Sequence, residues 1–194
     1  MTQEKLTRKK DIILGHELIF ANEIGAILFE KPKVSYWMIF IPILFLYFIF
    51  RMQKFKNDRI KFSEEFMSVR REAMKAAFDA SASDGSPDMN LTNRYENLPE
   101  PLQKPYASWI KTLSAFYLTL LAADGHDFES LARKAYRNKN SYQAALEKLN
   151  HMEKEFYTAL KPMMTEVEGT AAIIAKIESA SQRLRTESAI RIFN

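Results

Sequence analysis

VSYWMIFIPILFLYFIF, residues 34–50, carries no charged side chain and is bracketed by Lys31 and Lys33 before it and Arg51, Lys54 and Lys56 after it. A helix over these residues spans ~25 Å, which approaches the ~30 Å of a bilayer's hydrocarbon core once Lys33 and Arg51 snorkel outward. Trp37 and Tyr36 fall at one expected interface and Tyr47 nearer the other, where amphipathic rings prefer to sit. Pro42, at mid-span, removes one backbone hydrogen bond and is expected to kink the helix. A buried helix of a water-soluble core usually keeps one polar stripe, and this run has none. A cleaved signal peptide is disfavoured because the run starts late, is rich in aromatics and lacks a small-x-small site after it. The sequence therefore predicts a single transmembrane helix over 34–50.

Charge is distributed around that segment. Residues 1–61 hold eleven Lys and Arg against six Asp and Glu, whereas the chain from Phe62 onward holds seventeen against eighteen. The basic balance thus belongs to the membrane flanks, and the near-neutral remainder lacks the basic footprint that nucleic acid requires. With no cysteine, disulfides, thiolate nucleophiles and Cys-ligated metals are excluded. Within about twenty residues of the segment, Lys and Arg are in excess on the C-terminal side. By the positive-inside rule this predicts a single-pass protein, with a bacterial inner membrane the expected setting and the C-terminal part in the cytoplasm.

Upstream, residues 1–33 form an apolar helix with a charged tip. His16, Glu23 and Glu30 share one narrow stripe, and the rest is too apolar for water yet too charged to span. An interfacial helix, or one packed on the anchor or a partner, is expected. Ala21 and Gly25, four apart, would let another helix approach closely. His16 and Glu17 open like a zinc-protease helix but lack the second histidine, and no Glu-x-x-His pair exists for a di-iron site.

Downstream, residues 51–81 run without a breaker as a basic, then amphipathic, stalk helix with Phe62, Phe66, Val69, Ala73, Ala76 and Ala80 as its seam. Residues 82–104 hold three of the chain's prolines and read as a loop. Residues 105–194 read as a helical bundle with a long C-terminal helix. Tyr106, Trp109, Ile110, Leu113, Phe116, Tyr117, Leu120 and Leu121 recur at helical spacing and mark its core helix. A helix from about Ser141 turns Tyr142, Ala145, Leu146, Leu149, Met152, Phe156 and Leu160 inward. The last seam, Met163, Val167, Thr170, Ile174, Ile177, Ser181, Leu184 and Ser188, is too weak for a homodimeric coiled coil and predicts packing onto the bundle or a partner helix.

One turn carries the chemistry-bearing side chains. In LLAADGHDFE, Asp124, His126, Asp127 and Glu129 cluster between two helices. A helix, Ala-Asp-Gly and an acidic helix start together resemble the tellurite-resistance TerB-like helical domains, and the resemblance covers about ten residues. It implies Asp124, Asp127 and Glu129 as an acidic cluster. The residues themselves also read as a helix end followed by an N-cap at Asp127.

The sequence thus predicts an all-α protein: a single transmembrane helix continuing into a stalk and followed by a small helical bundle. The expected function is a non-catalytic scaffold, adaptor or accessory subunit of a membrane complex, without cofactor or metal. Its partners are expected to be the lipid bilayer and a protein or second copy met through the N- or C-terminal helix. The rival readings are a lipid-binding or membrane-shaping protein, and a membrane-tethered enzyme or TerB-like domain using Asp124, His126 and Asp127.

Overall fold

A computed structural model of the chain describes residues 2–29, 42–83, 98–164 and 170–194, the side chains of 42–56, Met164 and Thr170 excepted. They form six α-helices packed as one bundle: α1 (Gln3–Leu28), α2 (Pro42–Ala82), α3 (Glu100–Ala122), α4 (Phe128–Tyr136), α5 (Lys139–Leu160) and α6 (Thr170–Phe193). Each long helix packs on the next, α1 on α2, α2 on α3, α3 on α5 and α5 on α6, and α6 returns to α1. The five long helices therefore close into a ring. The short α4 touches α1, α3, α5 and α6 and covers one end.

α1 and α2 are antiparallel, since Phe29 meets Phe62, Glu17 meets Arg70 and Lys10 meets Phe78. α1 thus packs along its length against another helix of the same chain. α1 buries Leu6, Ile13, Phe20, Ala21 and Ile24 in the bundle, and full burial of an isoleucine such as Ile13 is worth roughly 1.5–3 kcal/mol. Gly25 faces the Phe62 ring of α2, where a Cβ would lie at an ordinary contact distance of 3.5 Å, so no unusually close approach is made there.

The predicted membrane segment is only partly within the described residues. Residues 34–41 lie outside them, and 42–50 are the first turns of α2. Among the described residues no helix is long and apolar enough to cross a membrane. The described part of the chain thus gives the span no support.

Two boundaries move. The Pro-rich loop expected over 82–104 gives way to helix at Glu100, because Pro101 occupies a first-turn position where a missing N–H is no loss. Pro105 is accommodated inside α3 as well. The bundle also extends well beyond 105–194, since α1 and the second half of α2 supply much of its core.

Helix ends are tied down by long side chains. Lys9 donates to the Leu121 carbonyl at the end of α3 (3.1 Å), and Arg133 donates to the Ile192 carbonyl at the end of α6 (3.0 Å). Both place a cation at the negative end of a helix dipole while satisfying an orphan carbonyl. Arg137, which ends α4, holds a positive φ of 61° that most side chains avoid.

The apolar interior is split in two. One cluster gathers Ile13, Ala73, Leu113, Leu149 and Ala189, the other Phe20, Ile24, Phe66, Ile177 and Ala180. Between the two levels lies a layer of charge.

Candidate functional site

That layer takes one residue from each of four helices: Glu17 from α1, Arg70 from α2, Glu153 from α5 and Arg185 from α6. All four are buried, with relative exposures of 8%, 1%, 3% and 7%. Arg70 Nε donates to Glu17 Oε2 at 2.7 Å, and its Nη2 lies 3.6 Å from Glu153 Oε1. Arg185 Nη1 donates to Glu153 Oε2 at 2.7 Å and also to the Asn150 side chain. The chain of contacts Glu17–Arg70–Glu153–Arg185 therefore has no net charge, which is the condition under which buried ions are tolerated. Aromatic faces complete it. The Arg70 guanidinium lies 3.4 Å from the Phe66 ring centre, and Phe20 is within 5.7 Å of Arg70 and 5.2 Å of Arg185.

Burial acts against ionisation of both members of the first pair. For Glu17 burial is the largest single influence, but the charge of Arg70, helped by His16, Arg185 and the Arg70 hydrogen bond, outweighs it and holds the carboxyl below the usual carboxylate range. For Arg70 burial likewise opposes the charge, and Glu17 followed by Glu153 more than offsets it, leaving the guanidinium firmly protonated. Tyr117, fully buried near Glu17 without well-formed hydrogen-bond geometry, is pushed well above the ordinary phenol value by burial first and the Glu17 charge second.

Beside this layer is a small cavity of about 30 Å³, room for about two water molecules. Its polar wall comprises His16, Glu17, Tyr142, Arg185 and Ser188. Ser188 Oγ and His16 Nδ1 are both buried without a hydrogen-bond partner. His16 stacks flat on Phe128, with ring centres 3.5 Å apart and planes 5° from parallel.

The turn singled out by sequence has another structure. Asp127 accepts a 2.7 Å hydrogen bond from the Ser130 amide, while Ser130 Oγ accepts from the Asp127 amide, forming a reciprocal capping box at the start of α4. These bonds hold the Asp127 carboxyl below its usual range, with the Ser130 amide the first cause. Asp124 lies 3.6 Å from Lys9 and is almost wholly exposed. Glu129 pairs with Arg133 and Arg191, and the His126 side chain is at the surface while its amide donates to Ser130. Gly125 is required by the turn, since a Cβ there would sit 2.7 Å from the Leu131 amide nitrogen. Asp127 thus serves the turn, Asp124 and Glu129 serve surface ion pairs, the His126 side chain is at the surface, and none of the four lines the cavity beside the charged layer. Among the described residues no group of three or more His, Asp and Glu could hold a metal ion.

The remaining membrane-flank residues divide by position. Lys33 and Trp37 lie outside the described residues; Pro42, Arg51, Lys54 and Lys56 are on the first turns of α2.

A capping role makes a specific demand on Asp127. Asp127→Ala is expected to lower the thermal midpoint by about 2–4 °C, and Asp127→Asn to recover most of that, because asparagine caps as well as aspartate. Thermal unfolding followed by circular dichroism checks both. Equal losses in the two variants would mean that the charge, and not the cap, is what matters there.

The charged layer was missed by sequence reading, yet it leaves a signal. Glu17 falls in register with Ile13, Phe20 and Ile24; Arg70 is flanked by Phe66 and Ala73; Glu153 by Leu149 and Tyr157; Arg185 by Ser181 and Ala189. Two acids and two bases, each interrupting an apolar seam, is the pattern to seek. Comparison of the chain with protein-family models, curated proteins and solved structures finds no match. The likeness of the Asp124 turn to TerB-like domains rests on its own ten residues.

Proposed function

We propose that the protein is a membrane-tethered, non-catalytic helical scaffold, in which residues 34–50 hold the bundle to the bilayer and the bundle engages a protein partner in the cytoplasm. The observation that carries this reading is the continuity of α2. As one helix of 41 residues, about 60 Å long, it runs from Pro42 within the apolar segment, through the basic turns, to core residues Phe66–Ala80. α1 ends abreast of Phe62, so the first turns of α2 lie beyond it. A rod shared by anchor and core would fix the bundle's distance and orientation from the membrane, which a flexible linker would leave free. The ionisable groups gathered in the interior neutralise one another across four helices, a layout suited to specifying a fold. A membrane-shaping role for α1 is disfavoured, because most of the apolar side chains it would offer to lipid are spent on the core, Leu18 and Ile19 being exposed.

The test is fractionation of cells expressing the full chain. The protein is expected in the membrane fraction and to resist alkaline carbonate. Leu44→Arg with Phe48→Arg, each costing about 2.5–3.5 kcal/mol if near the bilayer centre, should move most of it to the soluble fraction. Soluble wild-type protein would overturn the tether; a membrane-bound protein whose bundle is digested by protease outside sealed cells would overturn the orientation.

A further inference from the structure

We propose that His16 is an acid-sensitive latch that holds α4 against the bundle. Its neutral ring lies flat on Phe128, the first residue of α4, and both side chains wall the small cavity. In that position Nδ1 is buried and faces no acceptor. A proton on that nitrogen would be an N–H with no protein acceptor, on a cation largely withdrawn from solvent, which costs more than the neutral ring.

The groups around the ring do not relieve this. On its own helix, Glu17 is already bonded to Arg70. From α4, Glu129 is turned to Arg133 and Arg191. From α6, Arg191 is close enough to disfavour a positive imidazole and Arg185 lines the cavity. α5 presents the Tyr142 phenol, and α3 only the apolar Leu113 and Phe116. Burial is the largest influence on His16 and lowers its pKa, with the opposing pull of Glu17 too small to reverse it. The sign follows: the closed arrangement binds the proton less readily than an open one. Its advantage is complete above the ordinary histidine value of 6.5 and falls away as pH drops below it.

α4 is the element to yield. It is nine residues long, begins at an exposed capping box and ends on a positive-φ arginine. To the end of α6 it is tied by a part-buried hydrogen bond from Arg133 to the Ile192 carbonyl and by an exposed Glu129–Arg191 ion pair, which contributes little. Its departure would take Phe128 away from the cavity and expose Ser188 and Arg185 to solvent.

Amide hydrogen exchange on the full chain tests this. Between pH 7.5 and pH 5, and after correction for intrinsic rates, exchange at Leu131–Arg137 should rise about tenfold relative to α5 amides such as Leu149. His16→Phe keeps the stack but takes no proton, so it should flatten that rise. His126→Gln, at the exposed turn beside α4, should leave it intact. A rise that persists in His16→Phe, or is lost in His126→Gln, overturns the latch. If His16→Phe does not fold, titration of the His16 ring by NMR in the wild type decides: a midpoint at or above 6.5 overturns the proposal, and a lower one shared with the α4 amides supports it.

Discussion

Replacing Arg70 by methionine is expected to destabilise the bundle by about 3–5 kcal/mol, a large part of the 5–15 kcal/mol that holds typical domains together. The substitution is close in volume, so little of the loss comes from packing. What it removes, among the described residues, is the cation bonded to Glu17 and one of two beside Glu153. The Glu17 carboxylate is then left buried without its hydrogen-bonded counter-charge, beside a cavity that Phe20, Leu113 and Phe116 also line. The stacking of the guanidinium on Phe66 is lost as well. Urea titration gives the free energy, and pH gives the cause. In the wild type, Glu17 sits below its ordinary value, so its contribution is present at neutral pH and is lost as pH falls through the folded-state pKa. In Arg70→Met the largest influence opposing burial is gone and that pKa rises, so the carboxyl takes a proton more readily. The penalty measured at pH 7 should therefore shrink towards pH 4, and a pH-independent penalty would point to packing instead. Combining Arg70→Met with Glu17→Leu should recover most of the loss, because it leaves Glu153 and Arg185 paired and fills the layer with apolar volume.

The same layer accounts for what the sequence concealed. In α3, whose interior face carries no ion, every seam residue from Tyr106 to Leu121 that periodicity selects is buried. In α5 a charge stands on the seam, and periodicity drifted off it. Met152 and Phe156, which periodicity turns inward, are partly buried against the core, while Glu153 and Tyr157, one residue along, are the more deeply buried pair. In α1 the sequence marks His16, Glu23 and Glu30 as the polar stripe and leaves Glu17 off it with no visible partner, yet Glu17 is the acid that is buried and paired. In α6 the weak seam residues Ser181 and Ser188 have a local reason: they flank Arg185, and larger side chains would compete with its guanidinium for space. Burial of a charge depends on partners remote in sequence, Arg70 being 53 residues from Glu17. No local pattern supplies that information. The Asp124 turn was legible as a cap because capping is local, its two bonds spanning three residues.

Raising the pH should unfold the bundle steeply. Tyr117, Tyr136, Tyr142 and Tyr157 all have pKa values pushed above the ordinary phenol value of 10, in each case chiefly by burial. A group whose folded pKa is raised stabilises the fold fully below its unfolded value and stops doing so as pH climbs past it. Above pH 10 the unfolded chain sheds protons that the folded chain keeps. With four phenols the stability falls by about 5 kcal/mol per pH unit, enough to exhaust a typical 5–15 kcal/mol within roughly two to three units. Tyrosinate absorbance and helical circular dichroism should consequently change together in one cooperative transition. A smooth rise in absorbance that precedes loss of helix would show that the phenols titrate within the fold, contrary to their burial. Tyr157→Phe should make the alkaline limb shallower by about a quarter. Tyr117→Phe should do the same while leaving stability at pH 7 within about 1 kcal/mol, because the hydroxyl it removes makes no good hydrogen bond. A large loss at pH 7 would instead tie Tyr117 directly to Glu17 and make it a fifth member of the buried network.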